Sequence, residues 1–182
     1  MPSTWVYAIL LALLAVAAVT DVRRHKIYNW NTYPGIVAGL VLNGLTAGWI
    51  GVGGAALGFL VCGFVMLLCF VLFDMGGGDV KLIAMMGAFL GFQKGVEAML
   101  WTFVLGAVMG MAIVIWRYGF LTLLANAWRH VRLVFQAWGW ISLTKEEREP
   151  LQRWLFLAPS ALAAVGVVMA EEQTGVLRRL LG

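Results

Sequence analysis

From Ile27 to Phe73 the chain reads IYNWNTYPGIVAGLVLNGLTAGWIGVGGAALGFLVCGFVMLLCFVLF, 47 residues without a charged side chain. A bilayer core takes about 20 helical residues, so the stretch is too long for one span and fits two. The break between them is expected at Gly48-Trp49-Ile50-Gly51-Val52-Gly53-Gly54, which is dense in glycine and carries an interfacial type of tryptophan. This places spans at residues 34–49 and 53–73. Upstream, residues 4–20 form a first apolar segment, closed by Asp21 and the basic run Arg23-Arg24-His25-Lys26. Downstream, Asp74 to Lys81 is polar, and further apolar segments follow at 80–93, 97–116 and 154–170. The reading is an all-α integral membrane protein with about six transmembrane helices in a single polytopic domain, residues 1–182. Gly39, Gly44, Gly58 and Gly63 inside the long run allow close helix approach, as small residues do in membranes.

Composition agrees. Of the 182 residues 62% are hydrophobic and 12% are charged, against roughly 25% charged in a soluble domain. The net charge is +4, but the basic residues flank apolar segments, which sets topology and argues against nucleic-acid binding. Cys62 and Cys69 are the only cysteines. Seven residues apart on a helix, they lie about 10 Å from one another along the axis, too far for a disulfide, and they form no zinc pattern. Ala15-Val16-Ala17 resembles a signal cleavage site, but Met1-Pro2-Ser3-Thr4 lacks the basic side chains of a secretory n-region, so a retained first span is expected.

If residues 21–33 face the cytoplasm, so do 74–81 and 117–153. Those loops hold Arg23, Arg24, Lys26, Lys81, Arg117, Arg129, Arg132, Lys145, Arg148 and Arg153, against Lys94, Arg178 and Arg179 on the other side. The bias puts Asp21 and Asp79 together at the cytoplasmic face. Within 117–153, Leu121, Leu124, Ala125, Trp128, Val131, Phe135 and Trp138 recur at helical spacing, which predicts an interfacial amphipathic helix, with Arg132 close to its apolar stripe.

Gly76-Gly77-Gly78-Asp79-Val80-Lys81 sits at the edge of an apolar segment, where glycines, an acid and a base are all awkward. With Asp21 on the same side, it suggests hydrolysis of a peptide bond by water held between two carboxyl groups. One is ionised and takes a proton from water; the other is protonated and polarises the carbonyl or protonates the leaving nitrogen. Asp21 and Asp79 are the candidate catalytic residues, with Gly76, Gly78 and Lys81 as loop support. The glycines are expected to supply positive φ and close approach to an extended substrate, and Lys81 to hold the loop or favour ionised Asp79. Plainer roles exist: a helix-terminal charge for Asp21, an N-cap for Asp79. Asp74 is a cap or a substrate contact. The mechanism calls for no metal and no organic cofactor.

Asp21-Val-Arg23-Arg-His-Lys26-Ile27-Tyr28-Asn29 and Gly76-Gly77-Gly78-Asp79-Val80-Lys81-Leu82 resemble the two motifs of the prepilin peptidase family, membrane aspartic peptidases that cut leaders from type IV pilin-like precursors. Gly87-Ala88-Phe89-Leu90-Gly91 and Ala158-Pro159-Ser160-Ala161-Leu162 also resemble it. Tyr28 departs from the usual proline. The chain lacks the paired cysteines of larger members that also carry N-methyltransferase activity. It therefore resembles short peptidase-only members associated with Flp-type (tight-adherence) pili, or archaeal preflagellin peptidases. The resemblance implies a prepilin-like substrate with a short basic leader, cut at the cytoplasmic face of the plasma membrane before a hydrophobic helix, and no methylation. Membrane lipids are the other expected partner. A homo-oligomer and pilus-assembly machinery remain open as assembly partners. Presenilin-like proteases share Gly-x-Gly-Asp but need more spans. The alternatives are a small proton-coupled membrane transporter and a non-catalytic secretion-system membrane subunit.

Overall fold

The computed structural model describes residues 4–73, 76–118 and 157–174. These form four helices: α1 (Thr4–Arg24), α2 (Asn29–Phe73), α3 (Gly77–Tyr118) and α4 (Leu157–Thr174). Residues 1–106 with 156–182 make one compact unit, and 107–155 make a second, of which the end of α3 is described. By length and composition three helices are able to cross a membrane, over Trp5–Arg24, Asn29–Leu72 and Gly77–Ile113. The expected amphipathic helix beyond Tyr118, Asp74 and the beginning of the segment at 154–170 lie outside the described residues.

At 45 and 42 residues α2 and α3 are far longer than one bilayer crossing, and each is interrupted at one glycine. Gly48 has φ 61° and Gly91 has φ 75°, the left-handed region that a β-carbon disfavours. At both points the chain doubles back. A β-carbon at Gly35 would lie 3.0 Å from Met85 Cγ, and one at Gly39 2.9 Å from a Phe89 ring carbon, so the first half of α2 runs parallel to the start of α3. Beyond Gly48 the order inverts: Gly58 meets Gly87 and Gly91, and Gly63 meets Ala84. Likewise Gly95 returns to Gly87, 3.0 Å from its Cα if given a β-carbon. The first break falls at Gly48, at the start of the glycine-dense stretch 48–54, and the second at Gly91, inside the segment 80–93.

A reversal inside an apolar bundle strands backbone carbonyls, because the N–H groups four residues on have left the helix. Asn43 answers this at the second break. Its amide nitrogen donates to Ala88 O at 3.1 Å and Phe89 O at 3.0 Å, as well as to Gly39 O. Packing around these hairpins is tight. Leu10, Leu14, Met66, Leu82, Ile83, Met85, Met86 and Phe89 are fully buried, as is Cys62. Trp49, Ile50 and Leu45 near the first reversal are exposed, as suits lipid-facing residues. Cys62 and Cys69 are free thiols.

α1 packs against α4 and α2. Tyr7 Oη donates to Glu172 Oε2 at 2.7 Å near one end, and Ala158 N donates to Asp21 Oδ2 at 3.3 Å near the other, so α1 and α4 are antiparallel. The starts of α2, α3 and α4 thus gather around the C-terminal end of α1.

Candidate functional site

α1 continues one turn past its apolar run and ends at Arg24. Asp21 consequently lies on the last helical turn and not in the loop after it. His25 closes the helix in a left-handed conformation (φ 49°), with its N–H donating to Asp21 O at 2.8 Å. The Asp21 side chain turns inward and is 9% exposed. Its carboxylate accepts the N–H of Ala158, in the first turn of α4. An N–H there has no partner within its own helix, and the positive end of the helix dipole favours an anion.

Asp79 lies in the first turn of α3 and is half-buried. Its backbone N–H donates to Gly76 O at 3.0 Å, closing the turn into the helix. Asp79 and Asp21, from different helices, are near enough for their charges to repel. A negative charge on one therefore opposes a negative charge on the other, the condition under which two carboxyls share a proton.

The glycines before Asp79 work differently from expectation. Among the described residues positive φ occurs at His25, Gly48 and Gly91, and Gly77 and Gly78 are helical. What this stretch uses is the missing side chain. A β-carbon at Gly78 would stand 3.0 Å from Ile27 Cβ, and one at Gly76 3.0 Å from Asp79 Oδ2. Gly78 lets the start of α3 press against the α1–α2 connection, and Gly76 leaves room for the Asp79 carboxylate.

Lys81 is engaged at the start of α2. Its ammonium donates to Asn29 Oδ1 at 2.8 Å and lies 5.0 Å from the centre of the Tyr33 ring. It ties the start of α3 to the start of α2. Replacing Lys81 by methionine keeps the apolar stem and removes both contacts. The expected cost is about 1 kcal/mol, read as a lower unfolding midpoint, with Asn29→Ala giving a similar fall and the double variant little more.

The structure thus brings together Asp21, Asp79, Gly76, Gly78 and Lys81, and adds Asn29, Tyr33 and the Ala158 N–H, to which sequence reasoning gave no role. A polar residue opening an apolar helix was a signal for Asn29; a backbone donor leaves none. Among the described residues no cluster of three or more His, Cys, Asp or Glu side chains suits a metal ion. Chemically, the arrangement offers two carboxyls within reach of each other's charge at one end of an apolar bundle, one of them anchored by a helix N-terminus.

Residues 8–111 match the model of the type IV leader peptidase family. The chain is 32% identical over 110 residues to the prepilin leader peptidase/N-methyltransferase of Bacillus subtilis (strain 168), covering 59% of this chain and 44% of that protein. It is 30% identical over 122 residues to the protein of the same name from Myxococcus xanthus (strain DK1622), covering 61% of this chain and 36% of that one. The chain spans less than half the length of these relatives. No solved structure matches it.

Proposed function

The chain belongs to the type IV leader peptidase family, and we propose that it is a membrane aspartic endopeptidase that removes the short basic leader of a pilin-like precursor. The observation that carries this reading is that the start of α3, which bears Asp79, packs just past the end of α1, which bears Asp21, with Gly78 against Ile27, close enough for the two charges to repel. α1, the two halves each of α2 and α3, and α4 make six spans of the plasma membrane. The bias of basic residues puts the pair on the cytoplasmic side, where a basic leader lies. The short Flp-type precursors are the proposed substrates, and peptide hydrolysis alone is the proposed reaction.

In that reaction a water molecule sits between the two carboxyls. The ionised one takes a proton from it as the oxygen attacks the scissile carbonyl carbon. The protonated one gives its proton to the departing nitrogen as the C–N bond breaks. The products are a new carboxyl on the leader and a new amine on the mature chain. The pair ends with one proton, as it began.

The direct test adds a synthetic Flp-type precursor to membranes containing the chain and identifies the products by mass. One cut immediately before the apolar segment is expected; an intact precursor, with the chain present and folded, contradicts the proposal. A two-sided pH profile of kcat/KM is also expected. Below the lower apparent pKa of the pair both carboxyls are protonated and no base remains; above the upper one both are charged and no acid remains. A profile flat on either side would show that fewer than two titrating groups are needed.

A further inference from the structure

Two buried polar atoms in the first turn of α2 are used neither by the fold nor by the reaction proposed above. Asn31 is 3% exposed and Thr32 is fully buried. The Asn31 amide nitrogen donates to Leu13 O on α1 at 3.0 Å, but its Oδ1 meets no donor, and neither does Thr32 Oγ1. Buried hydroxyls and amide oxygens nearly always have a partner, and two orphans on consecutive residues are unusual.

Their position is informative. Asn31 follows two residues after Asn29, which holds Lys81. Leu13 precedes Asp21 by eight residues, about 12 Å along α1 at 1.5 Å per residue. One turn further along α2, Gly35 sits between Leu13 and Met85. The first turn of α2 is therefore wedged between α1 and α3, on the membrane-inward side of the carboxyl pair. A peptide cannot reach side chains this enclosed. A water molecule can, and buried waters typically bridge about three otherwise unsatisfied polar groups.

We propose that Asn31 Oδ1 and Thr32 Oγ1 form a water-binding site in which one internal water joins α2 to α1 behind Asp21 and Asp79. Asn31 and Thr32 are then positioning residues: through the water they fix the register of the helix that carries Asp21. The water site stands on burial and hydrogen bonding alone; its link to turnover rests on the peptidase reading.

The test exploits an asymmetry. Replacing an unsatisfied buried hydroxyl by a methyl of the same shape is neutral or stabilising, whereas replacing one that holds a water is destabilising. Thr32→Val in the full chain, purified in detergent, is expected to lower the unfolding midpoint by about 2–4 °C, the effect of one hydrogen bond in a chain of this size. Thr32→Ser, which keeps the hydroxyl, is expected to melt with the wild type. Asn31→Leu with Thr32→Val is expected to cost less than the two single losses added, because both remove the same water. A Thr32→Val midpoint at or above wild type overturns the proposal, and so do strictly additive losses. In cleavage, Thr32→Val is expected to lower kcat several-fold at unchanged KM, with Thr32→Ser restoring it; an unchanged kcat overturns the positioning role. If the wild type cuts no pilin-like precursor, the peptidase reading fails while the melting experiments still decide the water site.

Discussion

Asp79→Asn is expected to abolish precursor cleavage, with kcat/KM falling by at least about 10²–10⁴-fold, the contribution of one general acid–base group. Asparagine has nearly the same shape, but its amide neither takes a proton from water nor gives one to a leaving nitrogen. The fold should survive, because the Asp79 backbone N–H still closes the turn on Gly76 and the repulsion from Asp21 disappears. The variant is therefore expected to melt no lower than wild type while losing turnover. A purely structural Asp79 gives the reverse pattern, with activity following stability. Asp21→Asn should behave alike, since its side-chain oxygen still accepts the Ala158 N–H.

The second large effect concerns the fold. Apolar side chains gain little from leaving lipid for the bundle interior, so close packing carries more of the helix association than it does in water. Gly58 and Gly87 meet backbone to backbone: a β-carbon on either would fall onto the other's carbonyl oxygen, and one on Gly58 would also lie 2.6 Å from the Gly91 carbonyl carbon. The obstacle is backbone, which cannot swing aside like a side-chain tip. Gly58→Val is expected to cost at least the 1–3 kcal/mol typical of overpacking, roughly 2–4 °C in unfolding midpoint per kcal/mol, and to reduce folded yield. Gly53 is the control. It lies in the same helix, with nothing near where its β-carbon would be, so Gly53→Ala is expected to be neutral or to stabilise through helix propensity. Equal behaviour of Gly58→Val and Gly53→Ala would show that the crossing is looser than described.

Much of this was legible in sequence because it concerns chemistry that lipid penalises. An uncharged run of 47 residues demands a reversal, and glycine supplies it at Gly48. Two acids at the margins of apolar segments stand out against an otherwise uncharged background, which makes Asp21 and Asp79 candidates from sequence alone. Hydropathy, however, marks where lipid ends and not where hydrogen bonding does. That is why α1 was expected to stop at residue 20, whereas its ladder continues to Arg24 and carries Asp21 within it. The glycines before Asp79 read in sequence as supplying positive φ and approach to a substrate, whereas the structure uses their small size against Ile27 and the Asp79 carboxylate. Lys81 was read against its neighbour in sequence, yet its partners, Asn29 and Tyr33, come from the other end of a 45-residue helical hairpin. The Ala158 N–H was hidden altogether, because every residue but proline carries such a donor and only the fold decides which one is aimed at a carboxylate.

The central claim is that Asp21 and Asp79 act as one unit, and cleavage of a single precursor by the wild type, Asp21→Asn, Asp79→Asn and the double variant tests it most directly. Groups that share one proton and one water lose their joint function when either is removed. Both single variants should therefore fall to the same residual rate, and the double variant should fall no further. Losses that multiply in the double variant, or a single variant that still cuts at close to the wild-type rate, would contradict the account.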